Sequence, residues 1–475
     1  MVTKVKLYDG IMPKRAHEGD AAFDVFVPRD TALRPGRQVI DLGFALELPH
    51  GYAATIDGQK GSWHHNLLLN CEGRNWSMGG GMDGQNRPIG GLDLFNNVCY
   101  NWHKRTTDGN CHEVNFVNNY YKMGPDTKRK ELFIMDFELP TDVADNRTNT
   151  AYVSGNIREN QNHTLTNDKK GDTYKATGYV PTDYDYMVNE PLFPSYATIH
   201  TAKDAMKIVT SYGGAIMPIR DEQHQRVIRE TLDGTWTYKG SKSGIRGEID
   251  NEADITDAAN GGWEEWPEET RAANWDTDQD GLPDWWERIV KSDPLTANNN
   301  DDPNRDGWTL LEDYLEFIAH PYIVIAPNGS GTIDLKEHFA GFFGQNGKAV
   351  TPTFSLDQDI ATGTYAPNIN GTTLTVSATM PDAETIGVFN VTVSDGETTF
   401  TQRFGVAITD ERPTVRGDVN GDGIVDVADI ATVISVMASF TESQSGTAYT
   451  PADVNGDGIV DVADIATIIS IMAEK

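Results

Sequence analysis

Cysteine is scarce: Cys71, Cys99 and Cys111 are the only three in 475 residues. An odd number, and so few, excludes a disulfide framework as what holds the chain together. Positive charge is scarce as well. Thirty-nine Lys and Arg stand against 71 Asp and Glu, a formal charge of −32, which argues against a nucleic-acid partner, because such affinity comes from neutralising phosphates. No apolar run approaches the roughly 18 residues that a membrane span needs. The opening MVTKVKLYDGIMPKRAHEG has no apolar stretch of the kind a signal peptide carries. What is present suffices for folding. With 38% hydrophobic and 9% aromatic residues, the acid is not that of a disordered tail, and the length suggests about three or four domains.

Five segments follow from the patterning. Residues 1–57 carry strand signals in VKLYDG, AAFDVFVP and VIDLGFALELP, with a turn at Arg34-Pro35-Gly36. Residues 58–270 are Asn- and Gly-rich, with short strand-like runs and few amphipathic helical patterns. Residues 271–319 are rich in Asp, Asn and Trp. Residues 320–410 read as all-β, including an Asp395-Gly396 hairpin signal. Residues 411–475 contain a duplication: DVNGDGIVDVADIATVISVMA begins at Asp418 and recurs from Asp453 with two conservative changes, a period of 35 residues.

That duplication carries a calcium pattern. Calcium takes six to eight oxygen ligands, and a 12-residue loop supplies them from positions 1, 3, 5, 7, 9 and 12, with Gly at 6 for the sharp turn. The first copy offers Asp418, Asn420, Asp422, the Ile424 carbonyl, Asp426 and Asp429; the second offers Asp453, Asn455, Asp457, the Ile459 carbonyl, Asp461 and Asp464. Each loop runs into a helical apolar pattern, Ile430–Met437 and Ile465–Met472. No helix pattern precedes either loop, unlike a full EF-hand. This duplicated loop–helix resembles a type I dockerin across 416–475. The resemblance implies calcium as cofactor and a cohesin-like partner. In that family loop positions 10 and 11 help select the partner; here they are the apolar pairs Val427-Ala428 and Val462-Ala463.

A second pair of loops fits the same template in mid-chain. Asp276, Asp278, Asp280, the Leu282 carbonyl, Asp284 and Glu287 form one set. Asp302, Asn304, Asp306, the Trp308 carbonyl and Asp313 form the other. The expectation here is a calcium-stapled linker.

In the Asn-rich segment, LDLFNNVCYNW (92–102) and VNFVNNYYKMG (114–124) align at an offset of 22 residues, placing Asn96-Asn97 over Asn118-Asn119. That offset suits one coil of a parallel β-helix with Asn amides stacked at equivalent turns. With GSWHHNLLLNCEGRNW at 61–76, these motifs resemble the second half of a family 1 polysaccharide lyase, a pectate lyase, over about 60–200. The resemblance implies β-elimination of polygalacturonate, an acidic polysaccharide (pectin). Bound calcium would acidify the C5 proton and an arginine would take it. Arg74 matches the family's catalytic arginine. The second arginine, five residues on, falls on Gly79, and Arg105 is the substitute candidate. The coils that carry the family's calcium-binding aspartates lie before the HHN motif and have no counterpart here, so His64 and His65 are expected to be fold residues.

Residues 15–56, from RAHEGDAAFDVFVPRD to GFALELPHGYAATI, resemble the start of a trimeric dUTPase, with Asp24 in its first motif. The later phosphate and uracil motifs are absent, so dUTP hydrolysis is not expected, and the join near 57–61 reads as a chimera. The fold expected is mainly β and multidomain: a partial right-handed parallel β-helix, an Ig/cadherin-like β-sandwich, and a small all-α dockerin with two calcium loops. Three functions stand as alternatives: a pectate-lyase-derived protein with an incomplete site, a non-catalytic binding or scaffold protein, and a dUTP diphosphatase fragment. The module types imply an extracellular or cell-surface location.

Overall fold

The computed structural model describes residues 4–7, 44–47, 60–79, 90–137, 147, 149–160, 163–166, 173–195, 197–214, 216, 220–256, 275–357, 364–379, 384–409, 416–420, 425–439, 452–457 and 459–473. The chain is mainly β and has several separate cores. In the first segment, Lys4–Leu7 pairs antiparallel with Phe44–Glu47; Asp24 lies outside the described residues.

From residue 60 the chain winds into a parallel β-helix of three sheets, each coil giving one strand to each. The first sheet stacks Lys60–His64, Gly91–Phe95, Glu113–Val117, Thr150–Ser154 and Met187–Val188. The second stacks Leu67–Leu69, Val98–Tyr100, Tyr120–Lys122 and Ile157–Asn160, closed by antiparallel His163–Thr166. The third stacks Ser77–Gly79, Thr107–Asn110, Phe133–Phe137 and Tyr174–Gly178. Inward residues fall in register, Leu94 beside Phe116 beside Val153, and all three are buried.

The turn between the first two sheets explains the Asn pairs. Its first residue takes a left-handed conformation (His65, Asn96, Asn118 and then Gly155). Asn tolerates that conformation better than most residues. At Gly155 only glycine serves, because a Cβ would lie 1.7 Å from Asn118 Oδ1. Its second residue forms the ladder: Asn66, Asn97 and Asn119 each donate a side-chain amide to the Oδ1 of the next, at 2.9, 3.1 and 3.0 Å, ending on Asn156. The 22-residue offset was the visible trace of this stack.

Two helices cover the second sheet, where few had been expected. α1 (Ala202–Tyr212) is capped by Thr201, and α2 (Glu222–Asp233) runs from an Asp221 cap to Gly234 in the left-handed region. They pack Ala202, Met206, Val209, Ile228 and Leu232 on Val98, Tyr120 and Ile157. The signals were there, in the Thr201 and Asp221 caps and Gly234 at the C-terminal end, but an Asn-rich context obscured them.

Two short helices follow, α3 (Asp284–Val290) and α4 (Leu310–Ile318). The β-sandwich sets a four-stranded sheet (Tyr322–Ile325, Thr399–Ile408, Thr385–Ser394, Thr353–Leu356) on a three-stranded one (Ser330–Asp334, Thr373–Ala378, Tyr365–Asn370). Alternate residues point inward, as at Leu374 and Val376, while α5 (Leu335–His338) and the turn after it add Phe339 and Phe342 to the core. The Asp395-Gly396 signal marks the hairpin joining its two ten-residue strands.

β-Helix and sandwich share a seam. Lys207 on α1 pairs with Asp395 at 2.5 Å, Thr398 donates to Asp204, and Gly341 N–H donates to Ser211 Oγ at 3.0 Å. A Cβ on Gly341 would lie 2.1 Å from the Lys207 carbonyl oxygen, so the two surfaces meet backbone to backbone. The C-terminal helices α6 (Val427–Ser439) and α7 (Val462–Ala473) enclose their own core of Val425, Val433, Val454 and Ile468.

Candidate functional site

Arg74 sits in the turn after the first coil's second strand, and Arg105 occupies the equivalent turn one coil on. The coil stack brings both to one carboxylate. Arg74 Nε donates to Asp108 Oδ1 at 2.9 Å; Arg105 donates through Nε and Nη2 to both Asp108 oxygens at 2.8 and 2.7 Å. The Asp108 side chain is 8% exposed and that of Arg74 45%, so two half-open guanidinium groups share a buried anion and keep net positive charge at the surface. Sequence reasoning missed Asp108, which is 34 residues from Arg74 and adjacent only through the coil period.

These arginines belong to a basic ridge that crosses the coils. Lys104 N–H donates to the Glu72 carbonyl, Lys128 N–H to the His103 carbonyl, and Arg129 Nε to the Lys104 carbonyl. Successive turns thereby bring Arg74, Lys104, Arg105, Lys128, Arg129 and Lys130 together. Several acids among them are ion-paired, Glu72 by Lys104, Asp126 by Arg246 and Lys128, Glu131 by Arg129 and Lys175, while Glu248 and Asp250 lie near Glu72 at the edge of the ridge. The Arg246 guanidinium holds the Asp126 carboxyl down at about 2. In a chain of charge −32, a positive stripe of this kind is the local exception.

His64 and His65 stand at a different turn of the coil, between its first two strands. His65 Nδ1 lies 2.8 Å from His64 Nδ1, and its Nε2 lies 2.9 Å from His200 Nδ1. Burial, then His200 and His64, push its pKa down to about 4. The His200 carbonyl accepts from the Asn96 and Asn118 amides. These histidines secure the segment before α1 to the coil, as expected of fold residues.

The acidic loops share one hydrogen-bond scheme. The position-1 carboxylate accepts the position-5 N–H in Asp276, Asp302 and Asp453, each at 3.2 Å. The position-3 side-chain oxygen accepts the same N–H in Asp278, Asn304 and Asn455. Position 5 accepts the N–H of position 7 in Asp280, Asp306 and Asp457, each at 2.9 Å. The turns are therefore wound around a common centre by their own backbone donors. In the first C-terminal loop, Asp422 and Ile424 lie outside the described residues. Asp429 and Asp464, at position 12, are fully buried. Asp429 accepts from Val419, Asn420 and Asp426 N–H; Asp464 accepts from Asn455 and Asp461. Asp426 and Asp461, at position 9, accept the N–H of Ala428 and Ala463. In mid-chain, Asp284 accepts from Thr277 N–H and Oγ1, and burial, followed by Asp306 and Asp302, raises Asp313.

Comparison with known proteins assigns these parts to different families. Residues 416–472 match the dockerin type I domain. The C-terminus carries a type I dockerin. Residues 9–73 match dUTPase, a match that runs past residue 57 into the first coil of the β-helix. Over its middle the chain is similar to a probable pectate lyase C of Aspergillus flavus, 29% identical over 243 residues, covering 48% of this chain and 49% of that protein. A probable pectate lyase C of Aspergillus oryzae is 28% identical over the same coverage. The start is similar to a deoxyuridine 5'-triphosphate nucleotidohydrolase of Mycobacterium sp., 43% identical over 51 residues, which is 10% of this chain and 33% of that one. The chain thus spans about half the length of the pectate lyases it matches, and it joins parts of three families. No solved structure matches it. Cys71, Cys99 and Cys111 are free thiols, and among the described residues no helix is long and apolar enough to cross a membrane.

Proposed function

We propose that this chain is a calcium-binding component of a pectin-degrading assembly, in which the pectate-lyase-like coil holds polyuronate on its basic ridge and the dockerin attaches it to a cohesin-like partner outside the cell. The five segments bounded at 57, 270, 319 and 410 are its working parts. The carrying observation is the Arg74–Asp108–Arg105 cluster. A guanidinium that donates Nε to a buried carboxylate is fixed as a cation. It suits holding a uronate carboxylate through its remaining N–H groups better than removing a C5 proton. Among the described residues, the acidic group close enough to grip a metal is Asp276, Asp278 and Asp280, in a different segment from Arg74. An incomplete lyase site with a retained binding surface is the reading these facts support.

Calcium enters through the dockerin loops, whose described side-chain donors are all oxygens and whose second loop repeats the turn scheme of the mid-chain loops. On its partner face, Val427 and Val462 are each 69% exposed at equivalent places in the two copies. An apolar patch on the partner is the complement. Affinity electrophoresis through polygalacturonate should show retention lost in the Arg74→Ala, Arg105→Ala double variant, with binding at least tenfold weaker. Absorbance from 4,5-unsaturated uronides should stay at background with calcium present. A robust rise that Arg74→Ala abolishes would establish catalysis and overturn the binding-only reading. The dUTPase-like start adds no activity to this proposal: dUTP incubated with the protein should release no pyrophosphate.

A further inference from the structure

Outside the dockerin, the segment between β-helix and sandwich holds two buried carboxylate oxygens with no hydrogen-bond partner, on Asp278 and Glu287. Asp276, Asp278 and Asp280 each offer a carboxylate oxygen within 4.8 Å of the others. The loop's hydrogen bonds occupy Asp278 Oδ1 but leave Oδ2 buried and unpartnered. Behind them Glu287, on the first turns of α3, is 0% exposed. Its Oε1 accepts from Ser292 Oγ at 3.0 Å, and its Oε2 is buried without a partner. Asp278, Asp280 and Asp284 all lie close enough to act electrostatically on Glu287, and the orphan oxygens of residues 278 and 287 are both buried. A buried anion without a donor is costly and calls for a cation.

We propose that residues 276–287 form a calcium site, independent of the dockerin, with Glu287 as its deep ligand, and that filling it fixes the tryptophan-bearing helix pair to the β-sandwich. The donors are Asp276, Asp278, Asp280, the Leu282 carbonyl and both Glu287 oxygens. An all-oxygen set with a carboxylate able to bind through two oxygens selects a hard ion of calcium's size over zinc. Asp284 acts one step out, closing the loop onto Thr277. The neighbouring loop at 302–313 repeats the turn scheme but has Leu310 at position 9 and the shorter Asp313 at position 12, so it binds more weakly.

Contacts carry the effect outward from the loop. Asp280 Oδ2 accepts from Asn298 and Asn299 N–H at 2.9 and 2.8 Å. The Asn299 carbonyl accepts Leu311 N–H, and that of Asp301 accepts Leu310 N–H, which sets the start of α4. Across α3 and α4, Leu282, Trp285, Trp286 and Phe317 pack against Ala407 of the sandwich. A Cβ on Gly405 would lie 2.6 Å from the Phe317 ring, so α4 rests directly on that strand.

The test uses the full chain with the other loops silenced by Asp418→Ala, Asp453→Ala and Asp302→Ala. Terbium serves as the probe, its emission excited through Trp285 and Trp286. One terbium should bind per chain and be displaced by calcium, and amide exchange across 310–318 should slow at least tenfold with calcium. Glu287→Gln should weaken terbium binding tenfold or more. Asp278→Asn, on the open side of the loop, should do the same, and serves if Glu287→Gln fails to fold. Absence of calcium-displaceable emission, or emission unchanged in both variants, would overturn the site. Calcium binding with no change in exchange at 310–318 would overturn the fixing role.

Discussion

Position 12 is filled in two ways in this molecule, by Asp429 and Asp464 in the dockerin and by Glu287 in mid-chain. All three are fully buried, yet their surroundings differ. The aspartates are short enough to stay within the loop, and each accepts backbone N–H groups through both oxygens. Glu287 is one methylene longer, reaches past the loop backbone, and keeps an oxygen without a donor. Burial, with Asp278, Asp280 and Asp284 adding to it, pushes its carboxyl up to about 9, and burial followed by Asp280 pushes Asp278 up to about 7. The same motif thus yields an acid that closes its own turn and an acid that needs a partner from outside.

The largest test of this contrast is whether the dockerin still needs the ion. Each of its loops crowds four aspartates, and the module buries a small core. Helical circular dichroism of the 416–475 fragment should be lost with chelator and restored by calcium, a gain of about 4 kcal/mol when calcium is about 1,000 times the dissociation constant. Asp418→Ala with Asp453→Ala should abolish the response. Full helical signal in chelator would break the account.

Next comes a sign reversal. Glu287→Gln removes a carboxyl that burial holds protonated near neutral pH at a cost in stability, so in chelator it should stabilise residues 275–319 against denaturant by about 1–2 kcal/mol. With calcium present it should destabilise them instead. The same sign in both conditions would remove the distinction between the two acids.

A pH arm separates carboxylates from histidine. Burial, then Arg220, lowers His338 to about 4, below its ordinary 6.5, and its Nδ1 is buried without a partner. The unfolded chain then binds the proton first as pH falls. This group costs no stability above pH 6.5, and the sandwich should lose about 3 kcal/mol between there and pH 4. Thermal unfolding of His338→Gln should lack that part of the acid slope. The smallest effect is Asp464→Asn. It turns an acceptor of Asp461 N–H into a donor and should cost the calcium-loaded dockerin about 1 kcal/mol.

What the sequence revealed depended on spacing. Loop ligands are close in the chain, and the Asn pairs recur at the coil period, so both were legible as patterns. The dockerin and the mainly β, multidomain architecture followed directly. Asp108 did not, because its role depends on which residues the coils stack. Nor did Glu287: its type and position were readable, but its unpartnered oxygen depends on Ser292 and on packing under two tryptophans. Helices α1 and α2 were missed for another reason. Their caps are local and visible, but their apolar stripe has meaning only once the second sheet exists to receive it.

The seam between α1 and the sandwich can also be viewed as a load path. A dockerin is a tether, and tension on it enters the sandwich at Ile408, the end of the strand Thr399–Ile408. The hairpin at the opposite end of that strand is the one gripped by Lys207 and Asp204. Pulling therefore acts along the strand's full length. The strand Tyr322–Ile325, through which the chain enters the sandwich, lies parallel to the end of Thr399–Ile408, so opposite pulls on the two load the hydrogen bonds between them in shear, all together, where a pull from the side would open them one at a time. On the proposed holding of polyuronate by the β-helix, a strained tether draws on the strongest direction of the sheet.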